Sequence, residues 1–208
     1  MARSKSSNQW LQRHVKDPFV RKARAEGYRS RAAYKLIEIN TRERFLVSGA
    51  RVVDLGAAPG GWSQVAAGKV MPGGKVIALD LLEIAPISGV TLLRGDCREA
   101  EVQAQLAEAL GGSKADVVLS DLSPNISGIA SADQARAAEL VQMAIDFCRS
   151  WLKPGGSLLV KVFQGAEFGG VLKEMKSVFR EVRTLKPAAS REASRETYLL
   201  AHGLKGIQ

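Results

Sequence analysis

The chain has 208 residues, 46% of them hydrophobic and 25% charged, which suits one ordinary globular domain with a core of its own. No apolar run is long enough to cross a bilayer and no apolar stretch opens the chain, so neither a membrane span nor a secretory signal is expected. The net charge of +9 is uneven: residues 1–50 hold 12 Lys and Arg against 4 Asp and Glu, the remainder 18 against 17. Concentrated positive charge ahead of a near-neutral domain suggests a polyanion partner, with a merely solubilising tail as the alternative. The only cysteines are Cys97 and Cys148 and the only histidines His14 and His202, without metal-ligand spacing. That argues against a metal site and for a reduced, cytoplasmic protein.

Residues 1–16 read as a basic, flexible tail and residues 17–208 as a single domain. Asp17-Pro18 has the form of an N-cap followed by a first-turn proline, which predicts a helix to about Glu26, before Gly27. Ser30 is placed to cap a second helix, from Arg31 to about Asn40. The region 17–49 thus reads as N-terminal helices carrying Lys35 and a basic surface for the polyanion. Val52 to Leu55 is short, aliphatic and β-branched, like a buried parallel strand, and a helix from Ser63 to Val70 follows. Further strands are expected at 75–79, 90–93, 116–120 and 157–163. Helices at 100–110, 132–152 and 168–179 alternate with them; Gly111-Gly112 closes the first and Lys153-Pro154-Gly155-Gly156 the second. Strands at 182–185 and 197–201 are joined by a linker too short for a crossover helix, so they should pair antiparallel. The pattern predicts an α/β, Rossmann-like fold: a seven-stranded, mostly parallel sheet with an antiparallel last strand and helices on both faces.

The most informative stretch is Asp54-Leu55-Gly56-Ala57-Ala58-Pro59-Gly60-Gly61-Trp62, a strand end, a glycine turn and a helix start. Glycine has no Cβ, so such a turn lets the backbone approach a ligand closely. An acid at the strand end and a Pro-Gly-Gly turn suit a cationic, nucleoside-bearing cofactor, and S-adenosylmethionine (SAM) answers that description. A dinucleotide site needs G-x-G-x-x-G spacing. Here Ala57 and Ala58 follow Gly56, which disfavours NAD or FAD and, with them, a Rossmann oxidoreductase. A purely structural turn is disfavoured because Asp80, Asp96 and Asp121 fall at later strand ends. In an open parallel sheet, ligands bind outside those carboxyl ends. Asp80 is placed to accept from two ribose hydroxyls. Asp96 is placed for an adenine amino group, with a helix N-cap as the alternative. Trp62 belongs near the cofactor or in the core. Asp54 would order the turn or meet the amino end of the methionine moiety.

Four polar residues stand where the pattern calls for something else. Lys35 interrupts an apolar helix face of Ala32, Ala33, Leu36, Ile37 and Ile39. Asp121 begins Asp121-Leu122-Ser123-Pro124-Asn125. Lys161 sits inside the aliphatic strand Leu158 to Phe163, where a lysine is costly unless paired or functional. Glu196 immediately precedes the last strand.

Taken together, these residues resemble the FtsJ (RrmJ) family of SAM-dependent ribosomal RNA ribose 2′-O-methyltransferases, from about Trp10 through Ala201. The markers are Ser30-Arg31-Ala32 through Lys35-Leu36, the run from Asp54 to Trp62, Gly95-Asp96, Ser120-Asp121 with Pro124-Asn125, Pro154-Gly155-Gly156, Val160 to Gly165, and Ser194-Arg195-Glu196. At Leu122-Ser123 many relatives carry Met and Ala, a conservative departure. The resemblance implies a catalytic tetrad of Lys35, Asp121, Lys161 and Glu196. It implies a SAM site of Gly60, Trp62, Asp80, Asp96 and Asp121, with Asp54, Gly56, Pro59 and Gly61 completing the turn, and no metal. It also implies the substrate: a uridine in the aminoacyl-tRNA-accepting loop of 23S rRNA, within the 50S subunit. A monomer is expected. The same chemistry on a tRNA anticodon loop or a cap is the alternative. A non-catalytic RNA-binding module is disfavoured because all four tetrad residues are present.

The implied reaction assigns each residue a task. The sulfonium is already a good electrophile, whereas the ribose hydroxyl is a weak nucleophile that must be held in line and relieved of its proton. Positioning alone can supply roughly 7–11 kcal/mol, and a general base about two to four orders of magnitude in rate. Lys161 is the candidate for activating the hydroxyl, either as base or by stabilising the developing alkoxide. Burial and Lys35 favour the first role, Asp121 the second. Asp121 would orient Lys161, Lys35 would clamp the substrate, and Glu196 would hold one lysine.

Overall fold

Alternate residues along each strand supply the two apolar faces on which the helices pack. The computed structural model describes residues 17–125, 127–190 and 194–206; the basic segment 1–16 lies outside them. In chain order the elements are α1 (Pro18–Ala25), α2 (Ala33–Glu43), β1 (Arg51–Leu55), α3 (Gly61–Val70), β2 (Lys75–Asp80), β3 (Val90–Arg94), α4 (Ala100–Leu110), β4 (Ala115–Ser120), α5 (Ala130–Trp151), β5 (Leu152–Phe163), α6 (Phe168–Val178), β6 (Phe179–Leu185) and β7 (Glu196–Leu204). One seven-stranded sheet has the order β3-β2-β1-β4-β5-β7-β6. Strands β1 to β5 run parallel, and β7 lies antiparallel between β5 and β6. This is the expected Rossmann-like α/β architecture.

Val53, Ile77, Val118, Leu158 and Val160 face α4, α5 and α6. Val52, Val76, Val117, Leu119, Leu159 and Leu200 face α2 and α3. Strand order reverses between β1 and β4, so a crevice opens beyond their carboxyl ends. The same alternation aims polar residues there. Asp121 continues the series of Val117 and Leu119, Lys161 that of Leu159, and Glu196 and Tyr198 that of Leu200. All therefore address the α2 side.

Asp17 caps α1 as expected, its Oδ1 accepting from the Phe19 N–H at 3.0 Å. Ser30 does not cap α2. The helix starts at Ala33, and residues 30–32 form a tight turn in which Ala33, Tyr34 and Lys35 donate to the carbonyls of Ser30, Arg31 and Ala32. The Ser30 side chain faces α3 instead: a Cβ on Gly61 would lie 2.4 Å from its Oγ. Strand β5 begins at Leu152, five residues before Ser157, because Leu152 pairs with Ala115 across a bulge that holds Pro154-Gly155-Gly156. Strand β6 begins at Phe179, directly after α6, because the fully buried Phe179 pairs with Leu204 and lengthens the final hairpin.

Leu119 is fully buried at the centre of the sheet, whereas Leu81 is 65% exposed. Leu119→Ala should lower the free energy of unfolding by about 2–5 kcal/mol, and Leu81→Ala should change it by less than about 0.5 kcal/mol. Urea denaturation of the two variants checks the contrast.

Candidate active site

The glycine turn closes one wall of the crevice. Gly56 and Gly60 both have positive φ, at 70° and 107°. A side chain at either would collide with its surroundings: a Cβ on Gly56 would lie 2.3 Å from Leu122 Cδ2, and one on Gly60 2.4 Å from Ile87 Cδ1. Beside the turn lies a cleft of about 150 Å³ whose walls include Gly56, Asp80, Leu81, Asp96, Leu122 and Met143. Asp80 holds both of its rims. Its Oδ2 accepts from the Ala58 N–H and its Oδ1 from the Leu82 N–H, each at 2.8 Å. Each carboxylate oxygen has a second acceptor position, so Asp80 retains capacity for hydroxyl donors.

Asp96 is no N-cap. Glu99 occupies the cap position of α4, and Asp96 accepts from the backbone N–H and guanidinium of Arg98. The Arg98 guanidinium holds the Asp96 carboxyl below its ordinary range. Trp62 is buried in the α2–α3 core, its Nε1 donating to the Ala32 carbonyl at 2.8 Å and its ring 5.7 Å from that of Tyr198. Its side chain braces the site from behind and does not line the cleft.

Asp54, at the end of β1, is almost fully buried. Its Oδ2 accepts from Ser63 Oγ at 2.6 Å, and its Oδ1 has no partner among the described residues. Burial pushes its carboxyl up to about 7; the Ser63 hydroxyl opposes the shift, and the charges of Asp121 and Asp80 add to it. An orphaned carboxylate oxygen behind a glycine cradle, with two more acids along one edge, fits a ligand that brings positive charge and a nucleoside. Among the described residues no group of acids, histidines and cysteines is arranged to hold a metal ion.

Next to this cleft, Lys35, Asp121, Lys161 and Glu196 converge. Lys161 Nζ donates to the Asp121 carbonyl at 2.7 Å and lies 3.2 Å from Asp121 Oδ1. Lys35 Nζ is 2.7 Å from Glu196 Oε1. The two pairs meet at Tyr198, whose hydroxyl is 2.9 Å from Asp121 Oδ1 and 3.1 Å from Glu196 Oε1. Ser190 Oγ donates to the same Glu196 oxygen at 2.9 Å. Burial alone would raise the Glu196 carboxyl, yet the neighbouring Lys35, with Lys161 and Ser190, holds it below its ordinary range. Burial and the two flanking carboxylates push the Tyr198 hydroxyl well above its usual range, so it remains a donor. Asp121 leads directly into Leu122, which packs over Gly56, so the charge cluster and the cleft share a wall.

Tyr198 and Ser190 were not singled out from the sequence. A buried tyrosine hydroxyl requires a partner, and Tyr198 lies two residues from Glu196, on the same face of a strand. That spacing was the available signal. Nothing local to Ser190 marks it.

A model of the FtsJ-like methyltransferase family matches residues 28–204. The chain is 52% identical over 205 residues to a protein named ribosomal RNA large subunit methyltransferase E from Methylobacillus flagellatus, covering 99% of this chain and 98% of that one. It is 54% identical over 203 residues to the protein of the same name from Nitrosospira multiformis, covering 98% of both. Among solved structures, a Plasmodium falciparum protein described as a ribosomal RNA methyltransferase superposes with a TM-score of 0.76 at 30% identity, covering 86% of this chain and 100% of that one.

The buried Asp54 gives stability a measurable pH dependence. Its carboxyl titrates near 7 in the fold against an ordinary 3.8. Between those values the folded chain keeps a proton that the unfolded chain has released. The stabilisation is therefore complete below about pH 4 and is lost as pH rises through about 7. Asp54→Asn cannot titrate and should gain on the wild type by about 2–4 kcal/mol between pH 4 and pH 8. Parallel stability curves in urea at those two pH values would contradict the assignment.

Proposed function

Because the chain belongs to the FtsJ-like methyltransferase family, we propose that it transfers a methyl group from SAM to a ribose 2′-hydroxyl of large-subunit (23S) rRNA. The rRNA target is drawn from its relatives' names, and the uridine in the aminoacyl-tRNA-accepting loop from the family resemblance. One observation carries the reading of the chemistry: two lysine–carboxylate pairs, Lys161–Asp121 and Lys35–Glu196, meet beside a cleft that suits a cationic nucleoside.

When bound, SAM supplies a methyl group already activated by its sulfonium. The chain's own residues hold and orient the partners. Asp80 and Asp96 would hold the nucleoside and Asp54 the ammonium, and Gly56 and Gly60 would leave room for close backbone contact. Lys161 donates one N–H to the Asp121 carbonyl and forms an ion pair with its carboxylate. Its remaining valence is left for the ribose oxygen. There a lone pair takes the hydroxyl proton, or a further N–H stabilises the alkoxide as it forms. Lys35, fixed by Glu196, supplies a second positive charge near that oxygen. Asp121 and Glu196 keep the two ammonium groups apart and correctly aimed, and Tyr198 fixes the distance between the carboxylates. Burial excludes water from the pairs, which strengthens their electrostatic hold on a charge developing beside them.

Lys161→Ala should leave SAM affinity within a few fold of wild type and reduce methyl transfer to rRNA at least ~10²-fold. Near-normal turnover by the folded variant would overturn the role given to Lys161. The basic segment 1–16 is the proposed electrostatic contact with RNA. Its removal should weaken RNA binding and flatten the dependence of binding on salt, because fewer counterions are released. An unchanged slope would make that segment a solubilising one.

A further inference from the structure

Arg29 sits in the bend between α1 and α2, within the basic N-terminal quarter, where its charge would be assigned to the RNA-binding surface. Its guanidinium is already engaged. Nη1 donates to the carbonyls of Pro59 at 3.2 Å and Ala85 at 2.6 Å, and Nη2 to that of Pro86 at 2.6 Å. Pro59 belongs to the glycine turn. Ala85 and Pro86 belong to the segment 81–89 that joins β2 to β3. The root of the side chain is fixed as well. The Arg29 N–H donates to Gln64 Oε1 on α3 at 2.9 Å, and Gln64 Nε2 donates to the Gly27 carbonyl at 3.1 Å.

The segment meets the cleft at Leu81 and the turn meets it at Gly56, so the two tied parts share one of its walls. Ile87, next to the bonded carbonyls, covers Gly60, where an added Cβ would lie 2.4 Å from Ile87 Cδ1 and 3.3 Å from Arg29 Cδ. The start of the segment is bound to Asp80 through the Leu82 N–H, and Asp80 also holds Ala58 of the turn. The remaining hydrogen bonds on 81–89 among the described residues are at its ends, from Arg94 Nε to the Leu81 carbonyl at 3.4 Å and from the Val90 N–H to the Ile87 carbonyl at 3.1 Å. The segment has no regular secondary structure, Leu81, Leu82 and Glu83 are exposed, and its apolar hold is the small cluster of Ile84 and Ile87 with Ala57 and Ala78. Hydrogen bonds from a charged donor are the strong ones, so the fork of Arg29 is the main tie between rim and turn.

We infer that Arg29 is a positioning residue for cofactor binding: it pins the segment 81–89 onto the glycine turn, so that the rim which meets the nucleoside of SAM is in place before the ligand arrives. The inference rests on the reading of this cleft as the SAM site. Without the pin, binding must order the segment, and affinity falls by the cost of that ordering.

Arg29→Met keeps the apolar stem against Gly60 and removes the donors. In calorimetry on the full chain without RNA, its Kd for SAM should rise about tenfold, and its KM for SAM should rise in parallel. The salt slope of RNA binding should stay at the wild-type value. Ile87→Ala loosens the same rim without touching a charge and should raise the Kd for SAM in the same direction. An Arg29→Met variant with unchanged SAM affinity but weaker RNA binding and a shallower salt slope would overturn the inference and make Arg29 a phosphate contact. Should Arg29→Met fail to fold, unchanged SAM affinity in Ile87→Ala would overturn it equally. Wild-type protein that binds no SAM would instead refute the reading of the cleft, which separates the two failures.

Discussion

A single tyrosine hydroxyl between two carboxylates holds the candidate site together. Asp121 and Glu196 both reach the hydroxyl of Tyr198, and in each the same oxygen also meets a lysine. Two ammonium groups and two carboxylates are mutually compensating, so they can be buried together at a cost that none could bear alone. Backbone geometry sets the arrangement. Lys161 and Tyr198 are register partners across β5 and β7, as are Phe163 and Glu196. A register slip of one residue would turn Glu196 and Tyr198 to the opposite face, leaving Lys35 without Glu196 and Asp121 without Tyr198. The long β5–β7 pairing, together with the early start of β6, fixes that register.

The neighbouring cleft follows from the sheet order. Reversal between β1 and β4 leaves a crevice beyond their ends, and the glycine turn after β1 lets the backbone line it closely. Leu122, one residue after Asp121, lies over Gly56, so the chain that carries a member of the charge cluster also shapes the wall of the cleft. Asp54 takes a different part from the other acids. It is buried and half-satisfied, with one oxygen on Ser63 and the other without a hydrogen-bond partner among the described residues.

Much of this was legible in the sequence because it depends on period and spacing. The β-α alternation, the turn after β1, the acids at strand ends and the lysine inside an aliphatic strand are local patterns, and each lies where it was expected. What depended on side chains reaching across the fold was not legible. Tyr198 meets Asp121 from 77 positions away. Arg29 ties carbonyls 30 to 57 positions distant. Ser30 has the composition of an N-cap, yet close packing against Gly61 drew it to another helix, and the backbone turn took over the start of α2. Asp96 likewise had the form of an N-cap but is held by Arg98 two residues on. Trp62 fitted either cofactor or core, and only the packing of α2 on α3 decides for the core.

On the function proposed, the oxygen of a ribose, not an atom of a base, is methylated beside Lys161 and Lys35. Large ribosomal subunits from cells lacking this protein can be incubated with the purified chain and SAM labelled on its methyl group, and the RNA then digested to nucleosides. The label is expected in a 2′-O-methylated nucleoside from the large-subunit RNA. Label on a nucleobase, or none in the RNA of the subunit, would contradict the account.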